Sequence, residues 1–198
     1  MGQITTEELV DTLKTLDKVC YSGGAEGADL LFGIWAEANG FQELHFSFNK
    51  HKHHVRDETV LVLPDSILQD PEVKNVLRNA NYSLGRSVPK PGSYTYNLLA
   101  RNRFQVLLTE RVYCISPLES PSMVSGGTAW AVQMYIDMYE NPEIYCYDNI
   151  RHECYKYCTV QKAFVEVETV PTPYGNWTGI GSRKATQEHM DAFTTYFR

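Results

Sequence analysis

The sequence lacks the features of a membrane protein and of a protein that coats nucleic acid. Its 198 residues carry a formal net charge of -6, so no overall positive field exists to hold a nucleic-acid backbone. No apolar run approaches the roughly 20 residues that a transmembrane helix needs, and the polar, acidic first ten residues contain no apolar core of a signal peptide. We therefore expect a soluble cytoplasmic protein, and we expect neither a membrane nor a nucleic acid among its partners.

The sequence also lacks the spacings of disulfide frameworks, structural metal sites and serine hydrolases. Its cysteine count is odd, at five, and several of these cysteines lie in apolar runs, so we expect reduced, buried thiols. Two clusters could suggest zinc, but neither has the paired Cys-x-x-Cys spacing of a structural site, and no Gly-x-Ser-x-Gly turn is present. We expect no metal and no cofactor. The two clusters are His51, His53 and His54, and His152, Cys154 and Cys158.

What the chain does contain is three glycine loops, each between an apolar strand-like run and a helix-like run. They lie at residues 22–24, 125–128 and 179–183. Backbone amides at the start of a helix favour an anion such as phosphate, although a single glycine pair can equally be a tight turn. Because the carboxyl ends of parallel strands meet at one edge of a sheet, all three loops are predicted to open there. Together they indicate a ligand of nucleotide size.

The side chains of these loops are suited to phosphate and ribose. The loop hydroxyls can donate hydrogen bonds to either group, or they can cap the helices that follow. Arg183 can pair with a phosphate through two parallel hydrogen bonds, or it can be an ordinary surface arginine. Arg101 belongs to a polar interruption of an apolar helix, and it faces either the ligand edge or acidic residues on the surface. The predicted ligand-binding residues are Ser22, Gly23, Gly24, Asp29, Arg101, Gly126, Gly127, Thr128, Gly181, Ser182 and Arg183.

Two acidic residues follow the first loop. Asp29 and Glu26 could bind ribose hydroxyls or act in acid–base chemistry, but acidic residues are also common in the first turn of a helix. Asp29 directly follows the small residues of the loop and is the better candidate of the two.

The order of the apolar patterns predicts an α/β fold with a parallel sheet and helices on both faces. We expect one Rossmann-like domain over residues 1–198, with a helical insertion at 49–91 and a small β-hairpin at 151–170, before a last strand and helix at 176–198. The predicted helices are 5–16, 27–39, 94–108, 128–139 and 184–197, and the predicted strands are 18–21, 44–48, 112–116, 144–147 and 177–180.

Residues 22–29, Ser-Gly-Gly-Ala-Glu-Gly-Ala-Asp, resemble the glycine loop of the SLOG superfamily of Rossmann-like proteins. That superfamily includes LOG-type phosphoribohydrolases, DprA-like proteins and sensor domains of bacterial defence systems that bind nucleotide-derived signals. Residues 99–107 and 125–131 resemble its phage-encoded members. The resemblance covers most of the chain outside the insertion and the hairpin, and it implies a nucleotide ligand and a homodimer.

The order of the motifs differs from that superfamily. Residues 178–183, Thr-Gly-Ile-Gly-Ser-Arg, resemble its first strand and loop, yet they come last in this chain. We therefore expect a circular permutation, in which the strand near Trp177 takes the position of the first strand. This expectation has a geometric consequence: Gly181 and Ser182 should lie beside Gly23 and Gly24.

The superfamily's catalytic motif is incomplete in this chain. The hydrolases resemble Pro-Gly-Gly-x-Gly-Thr-x-x-Glu, whereas residues 125–133 read Ser-Gly-Gly-Thr-Ala-Trp-Ala-Val-Gln and have no carboxylate at the glutamate position. Our first hypothesis is therefore a protein that senses or sequesters a nucleotide or nucleotide-derived signal, as a phage protein does when it counters host defence. The second is an N-glycosidase acting on a nucleoside monophosphate through Asp29 or Glu26. The third, a DprA-like binder of single-stranded DNA, is disfavoured by the net charge of -6.

Overall fold

An eight-stranded sheet organises the chain in the computed structural model, which describes residues 4–198. The helices are α1 (Thr6–Leu13), α2 (Ala28–Ala38), α3 (Asp65–Leu68), α4 (Pro71–Ser83), α5 (Tyr94–Ala100), α6 (Asn102–Leu107), α7 (Thr128–Met138) and α8 (Gln187–Thr194). The strands are β1 (Val19–Ser22), β2 (Gln42–Phe48), β3 (Val60–Leu63), β4 (Arg111–Ile115), β5 (Leu118–Ser120), β6 (Met123–Val124), β7 (Ile144–Asp148), β8 (Glu153–Cys158), β9 (Ala163–Glu166) and β10 (Trp177–Gly181).

The sheet is mostly parallel, and its strand order is β3-β2-β1-β10-β4-β7-β8-β9. The six strands from β3 to β7 are parallel to one another, whereas β8 and β9 pair antiparallel at one edge. The predicted α/β class with a parallel sheet is therefore confirmed. The last strand in the sequence, β10, lies in the middle of the sheet between β1 and β4.

Helices cover both faces of this sheet, as predicted. Successive residues of β4 point to opposite sides: Val112 and Cys114 join the core formed with α1 and α4 to α7, and Tyr113 and Ile115 join the core formed with α2 and α8. Because the central strands are buried on both faces, their sequences are apolar almost throughout, which is typical of parallel sheets.

Trp177 holds β10 in its central position. Its side chain is fully buried and makes edge-to-face contacts with four aromatic rings at centroid distances of 5.6–5.9 Å. Such contacts add to the stabilisation that comes from burial alone. The four rings belong to Phe32, Trp35, Phe41 and Tyr113.

Three local predictions differ from the structure. The predicted helix 94–108 is two helices that meet at Arg101, which ends α5 and precedes α6. The segment 49–91 is not wholly helical, because Val60–Leu63 forms β3 and pairs with β2. The short pair β5 and β6 was not predicted, whereas residues 151–170 do contain a hairpin, formed by β8 and β9.

None of the helices in residues 4–198 combines the length and the apolar character needed to cross a membrane.

Candidate functional site

A cavity of about 340 Å³ opens at the carboxyl ends of the central strands. From β1 the chain continues outward to β2 and β3, whereas from β4 it continues outward in the opposite direction to β7. Ligands of open α/β sheets bind where the connections diverge in this way. Most of the predicted ligand-binding residues line the cavity, and they are Asp29, Arg101, Gly126, Gly127, Thr128, Gly181, Ser182 and Arg183.

The loop 125–128 forms one wall of the cavity and leads into α7. Gly126 adopts a positive φ of 66°, a conformation open to glycine at little energetic cost, and Arg86 Nη1 donates to its carbonyl oxygen at 2.7 Å. Gly127 is the residue that precedes the first turn of α7. Since the first N–H groups of a helix lack partners within it, this wall presents backbone donors and the positive end of an 11-residue helix.

The loop after β10 forms the opposite wall. Ser182 N donates to Ile115 O at 2.8 Å, and Ser182 O accepts from Ala28 N at 3.1 Å. These bonds join the loop to β4 and to the start of α2. Arg183, the next residue, is exposed and forms no ion pair with any residue in the described range 4–198. Its guanidinium is therefore a free cation at the edge of the cavity.

The loop after β1 meets the loop after β10 through Gly27 and Ala28, which lie against Ser182, and of residues 23–27 only Ala25 lines the cavity. Ser22 is fully buried, and its hydroxyl donates to Gly179 O at 2.6 Å, so it links β1 to β10. Gly24 contacts side chains from β2 and the following loop. Glu26 is exposed and also lies outside the cavity lining. Ser22 and Gly24 thus lie outside the cavity lining and pack against the neighbouring strands β10 and β2.

Gly23 provides the space for Arg101. A β-carbon at Gly23 would lie 1.6 Å from Arg101 Nη1 and 2.4 Å from Arg101 Cζ. The guanidinium therefore rests directly on the glycine backbone, and no other residue type at position 23 leaves room for it. This contact connects the first loop to a residue that lines the cavity.

The Arg101 guanidinium is buried with few partners. Its side chain is 5% exposed, and Nη1 donates to Phe46 O at 3.1 Å. Arg101 Nε is buried and has no acceptor among residues 4–198. Buried polar groups in folded proteins are nearly always hydrogen-bonded, so an unpaired guanidinium N–H beside a cavity indicates a place for an external acceptor.

Asp29 is the acidic group nearest to this guanidinium. Its Oδ2 lies 3.9 Å from Arg101 Nη2, and its side chain is 8% exposed. Burial raises the pKa of Asp29, against the opposing effects of Arg101, of His45 and of the backbone N–H groups of Ala25 and Gly181. Burial likewise lowers the pKa of Arg101, although Asp29 acts to raise it. In both groups the loss of hydration outweighs the attraction of a partner almost 4 Å away.

Several residues that line the cavity are outside the predicted ligand-binding set. They include Ala25, Leu98, Leu99, Asn102, Gln105, Ser116 and Ile180. The run Arg101-Asn102-Arg103 was the available signal, because three polar residues interrupt an apolar helix there. Its two arginines diverge: Arg101 reaches the cavity, whereas Arg103 bonds to Glu72 and Met138.

Within residues 4–198, no three His, Cys, Asp or Glu side chains come close enough to hold a metal ion between them. His51, one of the residues considered for zinc, instead bonds through Nδ1 to Ser47 Oγ at 3.0 Å and stacks on Phe48. Burial lowers the pKa of His51 to about 3, and the charge of Arg101 adds to this shift.

Comparisons of the chain with protein-family models, with curated proteins and with solved structures find no match.

Proposed function

We propose that this protein binds a nucleotide or nucleotide-derived signal in the cavity between the loops after β4 and β10, and that it thereby senses or sequesters that molecule. The observation that carries the proposal is Arg101: this residue lines the cavity, and its buried guanidinium has an N–H without an acceptor among residues 4–198. A phosphate group supplies several strong acceptors to such a guanidinium.

The rest of the cavity supports an anionic ligand that also has polar hydroxyls. The start of α7 and the exposed Arg183 add positive potential on opposite sides. Thr128 and Ser116 supply hydroxyl groups, and Gln105 supplies an amide. A volume of about 340 Å³ is at the lower end of the range for small-molecule sites, roughly 300–1,000 Å³, and this suits a ligand of mononucleotide size.

The position of β10 supports the related proposal that the chain is a circularly permuted, SLOG-like Rossmann protein. Counting β10 as the first strand, β1, β2 and β3 become the second, third and fourth, and β4 and β7 become the fifth and sixth. The observed order β3-β2-β1-β10-β4-β7 then reads 4-3-2-1-5-6, which runs outward from the first strand on both sides, like the 3-2-1-4-5-6 order of a Rossmann sheet with one further strand on the first side. Without this renumbering the strand order has no such regularity.

Isothermal titration calorimetry with mono-, di- and cyclic nucleotides and ADP-ribose derivatives tests the binding proposal. We expect saturable binding of at least one phosphate-bearing ligand. Arg101→Met, which keeps an apolar stem of similar length, should weaken that binding by roughly tenfold to a hundredfold, whereas Arg78→Gln on the exposed surface of α4 should leave it unchanged. Absence of binding across the whole panel, together with a mass spectrum showing no copurified small molecule, would contradict the proposal.

Asp29 favours a second candidate function, cleavage of an N-glycosidic bond in a nucleoside monophosphate. The cavity contains this carboxyl group, and burial raises its pKa, as a general acid requires. Glu26 is outside the cavity, so the acid in this mechanism is Asp29 alone. Chromatography of the reaction mixture should detect free base with the wild type and none with Asp29→Asn. No free base from any nucleoside monophosphate would refute this candidate.

Several related hypotheses stay predictions. The homodimer implied by the resemblance is tested by light scattering, and the cytoplasmic location by imaging of a tagged chain. A role in phage counter-defence is tested by expression in host cells that carry a nucleotide-signalling defence system. Binding of single-stranded DNA would have to show an affinity that falls steeply with salt.

A further inference from the structure

We propose that Asp29 is a displaceable counter-anion: an anionic ligand replaces its carboxylate as the partner of Arg101, and Asp29 takes up a proton from the solvent as the ligand binds. This inference rests on the proposed binding of a phosphate-bearing ligand, and it adds a determinant of the affinity and pH dependence of that binding.

The geometry of the pair supports displacement. The 3.9 Å between Asp29 Oδ2 and Arg101 Nη2 exceeds hydrogen-bond distance, so the two charges attract each other without forming the short, paired contact that Arg–carboxylate pairs commonly reach. Arg101 retains an N–H with no acceptor in the described part of the chain, residues 4–198. Breaking this ion pair therefore removes no hydrogen bond from Arg101.

Both members of the pair line the same cavity. A phosphate that approaches Arg101 must therefore also approach the Asp29 carboxylate. Two negative charges at such short range in a poorly hydrated site repel each other strongly. Once the ligand is bound, the positive charge of Arg101 compensates the ligand and no longer compensates Asp29. The ionised form of Asp29 therefore loses its main counter-charge. Protonation of Asp29 removes the repulsion.

The other groups around Asp29 do not replace Arg101 as its counter-charge. His45, from β2, is fully buried, and its Nε2 is bonded to Glu43 Oε2 at 2.9 Å. Glu43 is in turn bound by Arg56 at 3.0 Å, and these two contacts lower the pKa of Glu43. The negative charge next to His45 is therefore fixed on Glu43. From the loops, the backbone N–H groups of Ala25 and Gly181 also act to lower the pKa of Asp29.

Three more titratable groups face Arg101 and bear on the same equilibrium. They are Arg183, from the loop after β10, His51, from the loop after β2, and Tyr94, from α5, and each acts on Arg101 or is acted on by it. His51 is neutral at physiological pH because burial lowers its pKa to about 3. Arg183 is exposed and strengthens anion binding at any pH at which the protein is folded. Asp29 is thus the group whose charge changes when the ligand binds.

Calorimetry in two buffers tests the inference. The probes are sulfate and 3′,5′-cyclic AMP, because neither changes its own protonation near neutral pH, and the buffers are PIPES and imidazole at matched pH and ionic strength. Since their ionisation enthalpies differ, proton uptake makes the observed binding enthalpy depend on the buffer. For the wild type we expect uptake of a fraction of one proton per bound anion, and an affinity that falls as the pH rises.

Asp29→Asn should abolish this proton uptake and make the affinity independent of pH. It should also bind the same anion more tightly at pH 7, by up to about tenfold, the factor that corresponds to one unit of coupling between titrating groups. Asp65→Asn, which removes an exposed carboxylate at the start of α3, is the matched control and should behave as the wild type does.

The possible failures are distinguishable. If neither these probes nor any nucleotide binds to the wild type, the proposed function itself fails. If an anion binds with an enthalpy that is the same in both buffers, the counter-anion inference alone fails. Weaker binding by a folded Asp29→Asn also overturns it, because Asp29 would then be a ligand contact. Should that variant not fold, the wild-type buffer and pH dependence still decide the question.

Discussion

Replacing Gly23 with alanine is expected to weaken ligand binding while leaving the protein folded. The added β-carbon would lie 1.6 Å from Arg101 Nη1 and 2.5 Å from Arg101 Nη2. To restore an ordinary contact of about 3.5 Å, the guanidinium has to withdraw by roughly 2 Å. That movement breaks the Nη1 bond to Phe46 O, now 3.1 Å long, and takes the cation away from its position at the cavity.

The two effects of this substitution differ in size. A hydrogen bond that involves a charged group contributes about 1.5–3 kcal/mol, so loss of the positioned guanidinium should reduce the affinity for a phosphate-bearing ligand by roughly tenfold to a hundredfold. The fold loses the Nη1 bond to Phe46 O but needs little other rearrangement, because the three atoms nearest to the added β-carbon all belong to the end of a flexible side chain. Gly23 does not adopt a positive φ, so alanine there also reduces the entropy of the unfolded chain, a gain of about 0.4–1 kcal/mol.

Calorimetry and chemical denaturation of four proteins check this reasoning. They are the wild type, Gly23→Ala, Arg101→Met and the double variant. If Gly23 acts through Arg101, then Gly23→Ala should change the affinity of the wild type but not that of Arg101→Met. Wild-type affinity in Gly23→Ala would refute the reasoning, and so would a further loss of affinity in the double variant.

Three other substitutions have distinct expected outcomes. Arg183→Gln should lower the ligand affinity a few-fold, since an exposed cation contributes about 0.2–1 kcal/mol, and the affinity should then depend less on salt. An equal effect of Arg78→Gln would show that net charge alone is responsible. Gly181→Ala should lower the free energy of unfolding by at least about 1–3 kcal/mol, because its β-carbon would lie 2.2 Å from the backbone oxygen of Ile115; unchanged denaturation would contradict this. Because burial lowers the pKa of His51 from 6.5 to about 3, the native state binds fewer protons than the unfolded state in that window, so stability should fall as the pH drops through it. Denaturation of His51→Gln as a function of pH should show a shallower fall than the wild type.

The sequence was sufficient to predict the class of the sheet and the edge of the sheet at which the cavity opens. Strand-to-helix transitions are local patterns, and parallel strands bring their carboxyl ends to one edge wherever they lie in the sequence. The loops at 125–128 and 179–183 therefore line one cavity, as expected. The adjacency of Ser182 to the start of α2, across most of the chain, follows from the same rule.

The sequence could not show which polar groups are free to meet a ligand. Ser22 ends β1 and Thr128 begins α7, each next to a glycine loop. Yet the Ser22 hydroxyl is bonded to Gly179 O, whereas Thr128 lines the cavity. That difference depends on the distance between β1 and β10, which no local pattern encodes. The same is true of Gly23, whose importance comes from a guanidinium that approaches from a helix almost 80 positions away.

The central position of β10 has a consequence for how this chain folds. Until residues 177–181 are in place, β1 and β4 each present an unpaired edge in the middle of the sheet. Pairings between residues so far apart in sequence close large loops and slow folding, and open strand edges favour association between chains. A nascent chain from which residues 177–181 have not yet emerged is thus a sheet that lacks one of its central strands. We expect aggregation during synthesis to increase with the delay before this strand inserts.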